Sequence, residues 1–202
     1  VPVVVQTFTQ HPLCVLDPQR CPPLLTTQEE RIALMEKYGV DIFYAQPFTE
    51  ELRDMPPEDF VGLMVRQWKP KAVVVGFNYT FGAKGTGTPA LLKALGNALG
   101  FETYVVPAIR LGGNVVSATS IRDRLYRGYP RQARWMLGRL YCREVEVTAH
   151  MGTQYVLNSV ANGKLELPQG DYRAILTDGR QCYPVLAHAQ GNGRTICYLP
   201  KQ

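Results

Sequence analysis

Two short stretches hold most of the residues whose types and spacing could do chemistry. Residues 73–88, VVVGFNYTFGAKGTGT, begin as an apolar β-branched run and then place four glycines within twelve residues, Gly76 to Gly87. Residues 117–125, SATSIRDRL, open with small hydroxyl side chains and set arginines just inside a helix-forming run. A strand that ends in a glycine-rich loop lets main-chain N–H groups approach a phosphate, and a helix start offers free N–H groups to an anion. The two together predict a nucleotide site. Ser117 and Thr119 would donate to phosphate oxygens, and Arg122 would add a charge-assisted contact. Asn78 suits a ring edge or a ribose, while Phe8, Tyr79 and Phe81 offer flat apolar surfaces to a planar ring.

Each feature also has a plain structural reading. The glycine loop could be a tight strand-to-helix connection, and Ser117 to Ser120 a helix cap. Phe8 and Tyr79 could be sheet core, and His11 before Pro12 a satisfied loop histidine. From Arg122 to Arg143 there are seven arginines and a single acid, Asp123. Such a cluster favours phosphate but is equally a solvated face.

The elements that must position these residues alternate between strand and helix. The first residues, VPVVVQTF, read as a strand buried on both faces of a parallel sheet. Thr26-Thr27-Gln28-Glu29-Glu30 reads as a helix start with a hydroxyl cap and early acids, ended by Gly39. A second strand is expected over 40–45, a helix from the Pro56-Pro57 pair to about Trp68, and a third strand over 71–76. A helix over 89–99 and a fourth strand over 102–107 follow. This alternation predicts βαβ units and one mainly parallel sheet covered by helices on both faces, with ligands at the carboxyl ends of its strands.

After Arg122 the texture changes. Short helices over 121–127 and 130–137 are expected, with Trp135 and Met136 in the core. From Leu140 onward the pattern is β, with a hairpin signal at Asp178-Gly179 and a last strand in GNGRTICYLP. The expected division is residues 1–138 as an α/β nucleotide-binding domain and 139–202 as a small antiparallel β module.

Composition sets limits on this reading. With 202 residues, 46% of them hydrophobic, the chain can bury one core of about 130 to 150 residues plus an appendage. A net charge of only +5 does not call for nucleic acid. Five cysteines without a C-x-x-C spacing predict reduced thiols, with neither a disulfide framework nor a zinc ribbon. No apolar run approaches a membrane span, and no signal-peptide pattern is present, so a soluble cytoplasmic protein is expected.

Five blocks in order, TFTQHP, LTTQEERIALMEKYGVD, PFTEEL with PPEDFV, VVVGFNYTFGAKGTGT and SATSIRDRLYRGYPRQARWMLGRLY, resemble the bacterial FAD synthetases. In that family an FMN adenylyltransferase module precedes a riboflavin kinase module. The resemblance covers residues 1 to about 142. It implies a Rossmann-like nucleotidyltransferase fold that converts ATP and FMN to FAD and pyrophosphate with Mg²⁺. By matching motif, Phe8, His11 and Pro12 fall where the family lines its flavin pocket. Gly76, Asn78, Tyr79, Thr80 and Phe81 fall where it meets flavin and nucleotide. Ser117, Thr119 and Arg122 match its phosphate-binding hydroxyls and arginine, although Ala118 replaces a usual serine and Ser120 a frequent arginine. No residue is matched as a metal ligand.

Two departures qualify the resemblance. Family members begin with a strand and an H-x-G-H loop, whereas the histidines here are His11, His150 and His188, none in that spacing. An upstream strand, loop and helix of roughly 30 residues is therefore expected in the complete protein. The G-x-P-T-A-N loop of the kinase module is also absent, so the β module reads as a shortened remnant without kinase activity. The alternatives are an adenylyltransferase for another phosphorylated acceptor and a catalytically silent flavin- or nucleotide-binding relative. Nucleic-acid binding is disfavoured, because no recognisable module accompanies the arginines.

Overall fold

The computed structural model describes residues 1–199; positions 200–202, which the sequence reading includes in the β module, lie outside the described residues. Packing divides the chain otherwise than at residue 138. One compact unit comprises residues 1–22 and 32–110, and the other 23–31 with the chain from 111 onward. Helices 118–126 and 130–137 thus cluster with the β module rather than with the parallel strands.

The first unit contains strands β1 (Val4–Phe8), β2 (Ile42–Gln46), β3 (Ala72–Gly76) and β4 (Glu102–Val106). Its helices are α1 (Pro12–Leu16), α3 (Glu50–Asp54), α4 (Pro57–Trp68) and α5 (Pro89–Leu99), while α2 (Gln28–Lys37) spans the division between units. The local signals work as physics predicts. Thr88 caps α5 by accepting from the Leu91 N–H at 3.2 Å, Pro89 occupies its first turn, and Gly100 ends it in the left-handed region. Val61 of α4, Val75 of β3, Leu92 of α5, Phe81 and Phe101 form the core.

The strands pair in parallel as expected, β1 with β2 and β3 with β4, but they form two two-stranded sheets rather than one. No described strand joins the two pairs, so side chains read as doubly buried are not. Val74 is 65% exposed and Tyr104 54%, and every residue of β1 is only half-buried.

In the second unit a two-residue ribbon of β5 (Arg110–Leu111) with β6 (Asn114–Val115), which begins at the last residue of the first unit, precedes α6 (Ala118–Tyr126) and α7 (Pro130–Leu137). Then come β7 (Val145–Met151), β8 (Gln154–Ser159), β9 (Gly170–Thr177), β10 (Cys182–Ala189) and β11 (Arg194–Tyr198). These five strands form one antiparallel sheet in the order β7-β8-β11-β10-β9, with the Asp178-Gly179 turn joining β9 to β10. Ile121, Leu125, Ala133 and Leu165 build one core cluster, and Leu157, Val185, Ala187 and Cys197 another. Met136 packs against the first, but Trp135, expected in the core, is 67% exposed. In α7 the small Ala133 is the fully buried contact, and Trp135, two positions on, points away from it.

Candidate functional site

The glycine loop after β3 is folded against itself. Phe81 and Gly87 exchange backbone hydrogen bonds at 3.2 and 2.8 Å, and the N–H groups of Tyr79, Ala83, Gly85 and Thr86 donate to the carbonyls of Gly76, Met55, Gly82 and Ala83. Those donors do not form the phosphate cradle expected from the glycine spacing. The glycines instead permit close packing. A Cβ on Gly87 would lie 2.6 Å from the Phe81 ring, and one on Gly82, whose φ is +69°, would lie 2.7 Å from the Pro57 backbone.

Phe81, expected to present a ring face to ligand, is 5% exposed. Tyr79 stacks on it at 5.6 Å and Phe60 lies against it at 5.8 Å. Burial raises the Tyr79 phenol above its ordinary pKa. Asn78 and Thr80 are exposed, as are Phe77, Lys84, Thr86 and Thr88 of the same stretch, with Gly76 exposed at the end of β3. The Asn78 side chain makes no hydrogen bond to another described residue, and its Oδ1 lies over Gly76, 3.7 Å from where a Cβ would stand. In this loop Phe81 and Tyr79 are the buried support, and Asn78 lies exposed above them.

Phe8, His11 and Pro12 sit together where β1 gives way to α1. Phe8 meets Phe48 edge to face at 5.0 Å. His11 caps α1, its Nδ1 accepting from the Leu13 N–H at 3.2 Å, with Pro12 as the first helical residue. That bond assigns the acceptor role to Nδ1 and leaves Nε2 as the ring nitrogen with the proton when the ring is neutral. Three residues along, Cys14 is joined to Cys21 in a disulfide, against the expectation that all thiols are reduced. The bond spans a separation of seven residues, and among the described residues Cys142, Cys182 and Cys197 are free.

The helix start in the second unit is built differently. Ser117 and Ser120 form a reciprocal capping pair: Ser117 Oγ accepts from the Ser120 N–H at 3.1 Å, and Ser120 Oγ accepts from the Ser117 N–H at 3.0 Å. Ser120 also reaches the Val115 carbonyl at 2.8 Å. The N–H groups of Ala118 and Thr119 and the Thr119 hydroxyl have no partner among the described residues, and both side chains are exposed. This is the orphan-donor arrangement that favours an anion.

Arg122, one turn in, is held from behind. Its Nε donates to the Pro23 carbonyl at 2.8 Å, and its terminal nitrogens bond to no described residue. Partial burial lowers its pKa from the ordinary value, opposed by Tyr126 and Tyr141. Tyr141 itself, bonded to the Leu165 carbonyl at 2.7 Å, is pushed up to about 12, chiefly by burial.

The other arginines separate into engaged and free. Arg124 and Arg127 share Asp123 at 3.0 and 2.8 Å, and Arg143 serves Glu166 and the carbonyls of Lys164 and Leu165. Arg131 and Arg134 are exposed and make no ion pair among the described residues. A cavity of about 470 Å³ lies elsewhere, in the β module, lined by Val145, Val147, Tyr155, Leu176, Tyr183 and Leu199. It contains none of the candidate residues. Among the described residues no group of three or more His, Cys, Asp or Glu could hold a metal ion, and no helix is long and apolar enough to cross a membrane.

A sequence model of FAD synthetases matches residues 1–120. The chain belongs to the FAD synthetase family. Over 138 residues it is 33% identical to a bifunctional riboflavin kinase/FMN adenylyltransferase of Listeria monocytogenes, covering 68% of this chain and 44% of that protein. It is 28% identical over 126 residues to the protein of the same description in Escherichia coli, covering 62% of this chain and 40% of the relative. The chain thus spans less than half the length of these curated relatives. Among solved structures it resembles one described as a macrolide-efflux protein from Streptococcus pneumoniae, with a TM-score of 0.83 at 22% identity, covering 98% of this chain and 73% of that one. That likeness extends the shared fold through the β module.

Within this chain, sequence reasoning missed two participants, the Pro23 carbonyl and Lys164. The Pro23 carbonyl has no side-chain signature. Ser120, read both as part of a helix cap and as a departure from an arginine, completes the cap. Lys164, 5% exposed, lies in an ion pair with Glu30 that no local pattern announces.

Proposed function

We propose that the chain carries the FMN adenylyltransferase activity of its family, transferring AMP from ATP to FMN to give FAD and pyrophosphate. The observation that carries this reading is the start of α6, where the open N–H groups of Ala118 and Thr119 accompany an Arg122 anchored only through Nε. An FMN phosphate oxygen forms the new bond to the α-phosphorus, the bond from that phosphorus to the bridging oxygen breaks, and pyrophosphate leaves with the electron pair. No covalent nucleophile on the protein is required, so the chain contributes alignment and charge stabilisation. Thr119 and the two amides bind the leaving phosphates, and Arg122 follows the charge that develops on them. Asn78 and Thr80 are assigned to ligand edges, and Phe8, His11 and Pro12 to the flavin.

The Mg²⁺ implied by the family finds no cluster of protein ligands among the described residues. When bound it would be held through the phosphates of ATP. The missing G-x-P-T-A-N loop supports a β module without riboflavin kinase activity. Among the described residues β1–β2 and β3–β4 each end in an unpaired edge, with Val74 exposed.

A second reading, a silent flavin-binding relative, is favoured by the capping pair, since both the N–H and the hydroxyl of Ser117 are already engaged with Ser120. Incubation of the full-length protein with ATP, Mg²⁺ and FMN, with separation of the flavins, decides between them. FAD formation is expected, and riboflavin with ATP should give no FMN. Binding of FMN without any turnover would favour the silent relative.

A further inference from the structure

The β module holds a buried charge, and the bonds around that charge lead to Arg122. Segment 23–30 makes three kinds of contact in the second unit. Its Pro23 carbonyl accepts from Arg122 Nε at 2.8 Å. The next residue is fixed by the β module, the Leu24 N–H donating to the Gly163 carbonyl at 2.8 Å and the Leu165 N–H to the Leu24 carbonyl at 2.9 Å. Leu25 then packs against Ile121, Leu125 and Leu165.

The far end of the segment is locked by charge. Lys164 Nζ donates to both carboxylate oxygens of Glu30, at 2.5 and 2.7 Å, with the lysine side chain 1% exposed. It also lies 5.2 Å from the centre of the Tyr141 ring. Glu30 in turn accepts from the Thr27 N–H at 3.1 Å while its own N–H donates to Thr27 Oγ1 at 3.2 Å. Segment 23–30 is therefore gripped at Leu24 and at Glu30 by loop 162–166. A backbone carbonyl can hold a guanidinium in one orientation only if its own peptide is held.

We propose that loop 162–166, through Lys164, is a positioning element for Arg122: it fixes segment 23–30 so that the Pro23 carbonyl orients the guanidinium toward ATP phosphates. This rests on the adenylyltransferase reading. It gives the β module a role in nucleotide binding that does not depend on kinase chemistry, and it makes Lys164 and Glu30 positioning residues that touch no substrate.

The test is a double-mutant cycle on ATP binding by calorimetry in the full-length protein, using Arg122→Ala, Lys164→Met and the pair, with FAD formation measured alongside. Lys164→Met should weaken ATP binding by about tenfold in the Arg122 background and by less than about twofold in the Arg122→Ala background, because coupled residues are not additive. In steady state the loss should fall on KM for ATP more than on KM for FMN. Glu30→Gln, which keeps the shape and removes the charge, serves if Lys164→Met does not fold, and should show the same dependence on Arg122. A lowered melting temperature with unchanged ATP affinity would show that the loop only stabilises and would overturn the proposal. Equal weakening with and without Arg122 would overturn the route through that residue. Wild-type protein that binds no ATP, or an Arg122→Ala variant that binds it normally, would overturn the functional reading and the inference with it.

Discussion

The loop after β3 and the start of α6 read alike in sequence, as small residues arranged to bring backbone amides to a phosphate, yet the folded chain treats them differently. In the loop, the amides of Tyr79, Phe81, Ala83, Gly85, Thr86 and Gly87 are taken by carbonyls, which leaves those of Asn78, Thr80, Gly82 and Lys84 scattered between bonded neighbours rather than in one row. At the helix start those of Ala118 and Thr119 are left open among the described residues, which also offer no partner to the terminal nitrogens of Arg122. The difference lies in donor accounting rather than in glycine content. Glycines that allow a chain to close on itself remove donors, whereas a helix start cannot satisfy its first amides internally. The loop then contributes through what it holds outward, Asn78, on a base of buried aromatic rings.

The largest expected effect follows from Arg122. Arg122→Ala should lower FAD formation on the order of a hundredfold, comparable to losing a preorganised transition-state donor, with folding unchanged by circular dichroism. Arg122→Lys should also lose turnover, because an ammonium cannot keep the Pro23 bond and still present a fork. Arg131→Ala and Arg134→Ala, on the exposed face of α7, should do little. A similar small, salt-sensitive loss in all three alanine variants would mean diffuse surface charge and would remove the contrast between loop and helix.

Next in size is the Cys14–Cys21 disulfide. Replacing both cysteines by serine should cost about 2–3 kcal/mol, the loop-closure value for so short a ring. The loss should be read as a lower melting temperature that a reductant reproduces in the wild type and not in the variant. Because α1 starts at His11 and Pro12, weaker FMN binding should accompany it. An unchanged melting temperature on reduction would show that the bond constrains nothing.

Within the loop, two substitutions separate support from presentation. Gly87→Ala places a methyl against the Phe81 ring and should cost about 1–3 kcal/mol of stability, as overpacking does. Asn78→Ala should weaken flavin binding by a similar 1–3 kcal/mol, about the cost of an unpaired partner, with the melting temperature unchanged. If Asn78→Ala destabilises the fold and leaves FMN quenching intact, the asparagine is structural and the loop presents nothing.

What could be read from sequence was what is locally determined. Helix α5 is bounded by Thr88, Pro89 and Gly100, whose chemistry acts within one turn, and the β9–β10 hairpin by Asp178-Gly179. The cap at Ser117 was legible for the same reason. The division of the parallel strands into two pairs was not, because a valine run carries no record of which strand will lie beside it. Nor was the anchoring of Arg122, since Pro23 is 99 residues from it and Glu30 is 134 from Lys164. Trp135 falls outside the core because α7 buries the face that carries Ala133, Met136 and Leu137, and a residue two positions from Ala133 lies on the opposite face.

The smallest effect tests the helix start most finely. Ser120 holds the Ser117 N–H at 3.0 Å and reaches the Val115 carbonyl at 2.8 Å, so Ser120→Ala removes half of the capping pair and should cost about 1 kcal/mol of stability. The same change releases the Ser117 N–H, which becomes a third open donor beside those of Ala118 and Thr119. If that end of α6 receives phosphate, ATP affinity in Ser120→Ala should hold or rise although the protein melts lower. Ser117→Ala should lose both, because it removes the hydroxyl that accepts from the Ser120 amide and that a phosphate would otherwise bond. Thermal melts paired with ATP titrations separate the cases. Should Ser120→Ala lose ATP affinity in step with stability, the helix start acts as a cap alone, and the distinction between it and the closed glycine loop disappears.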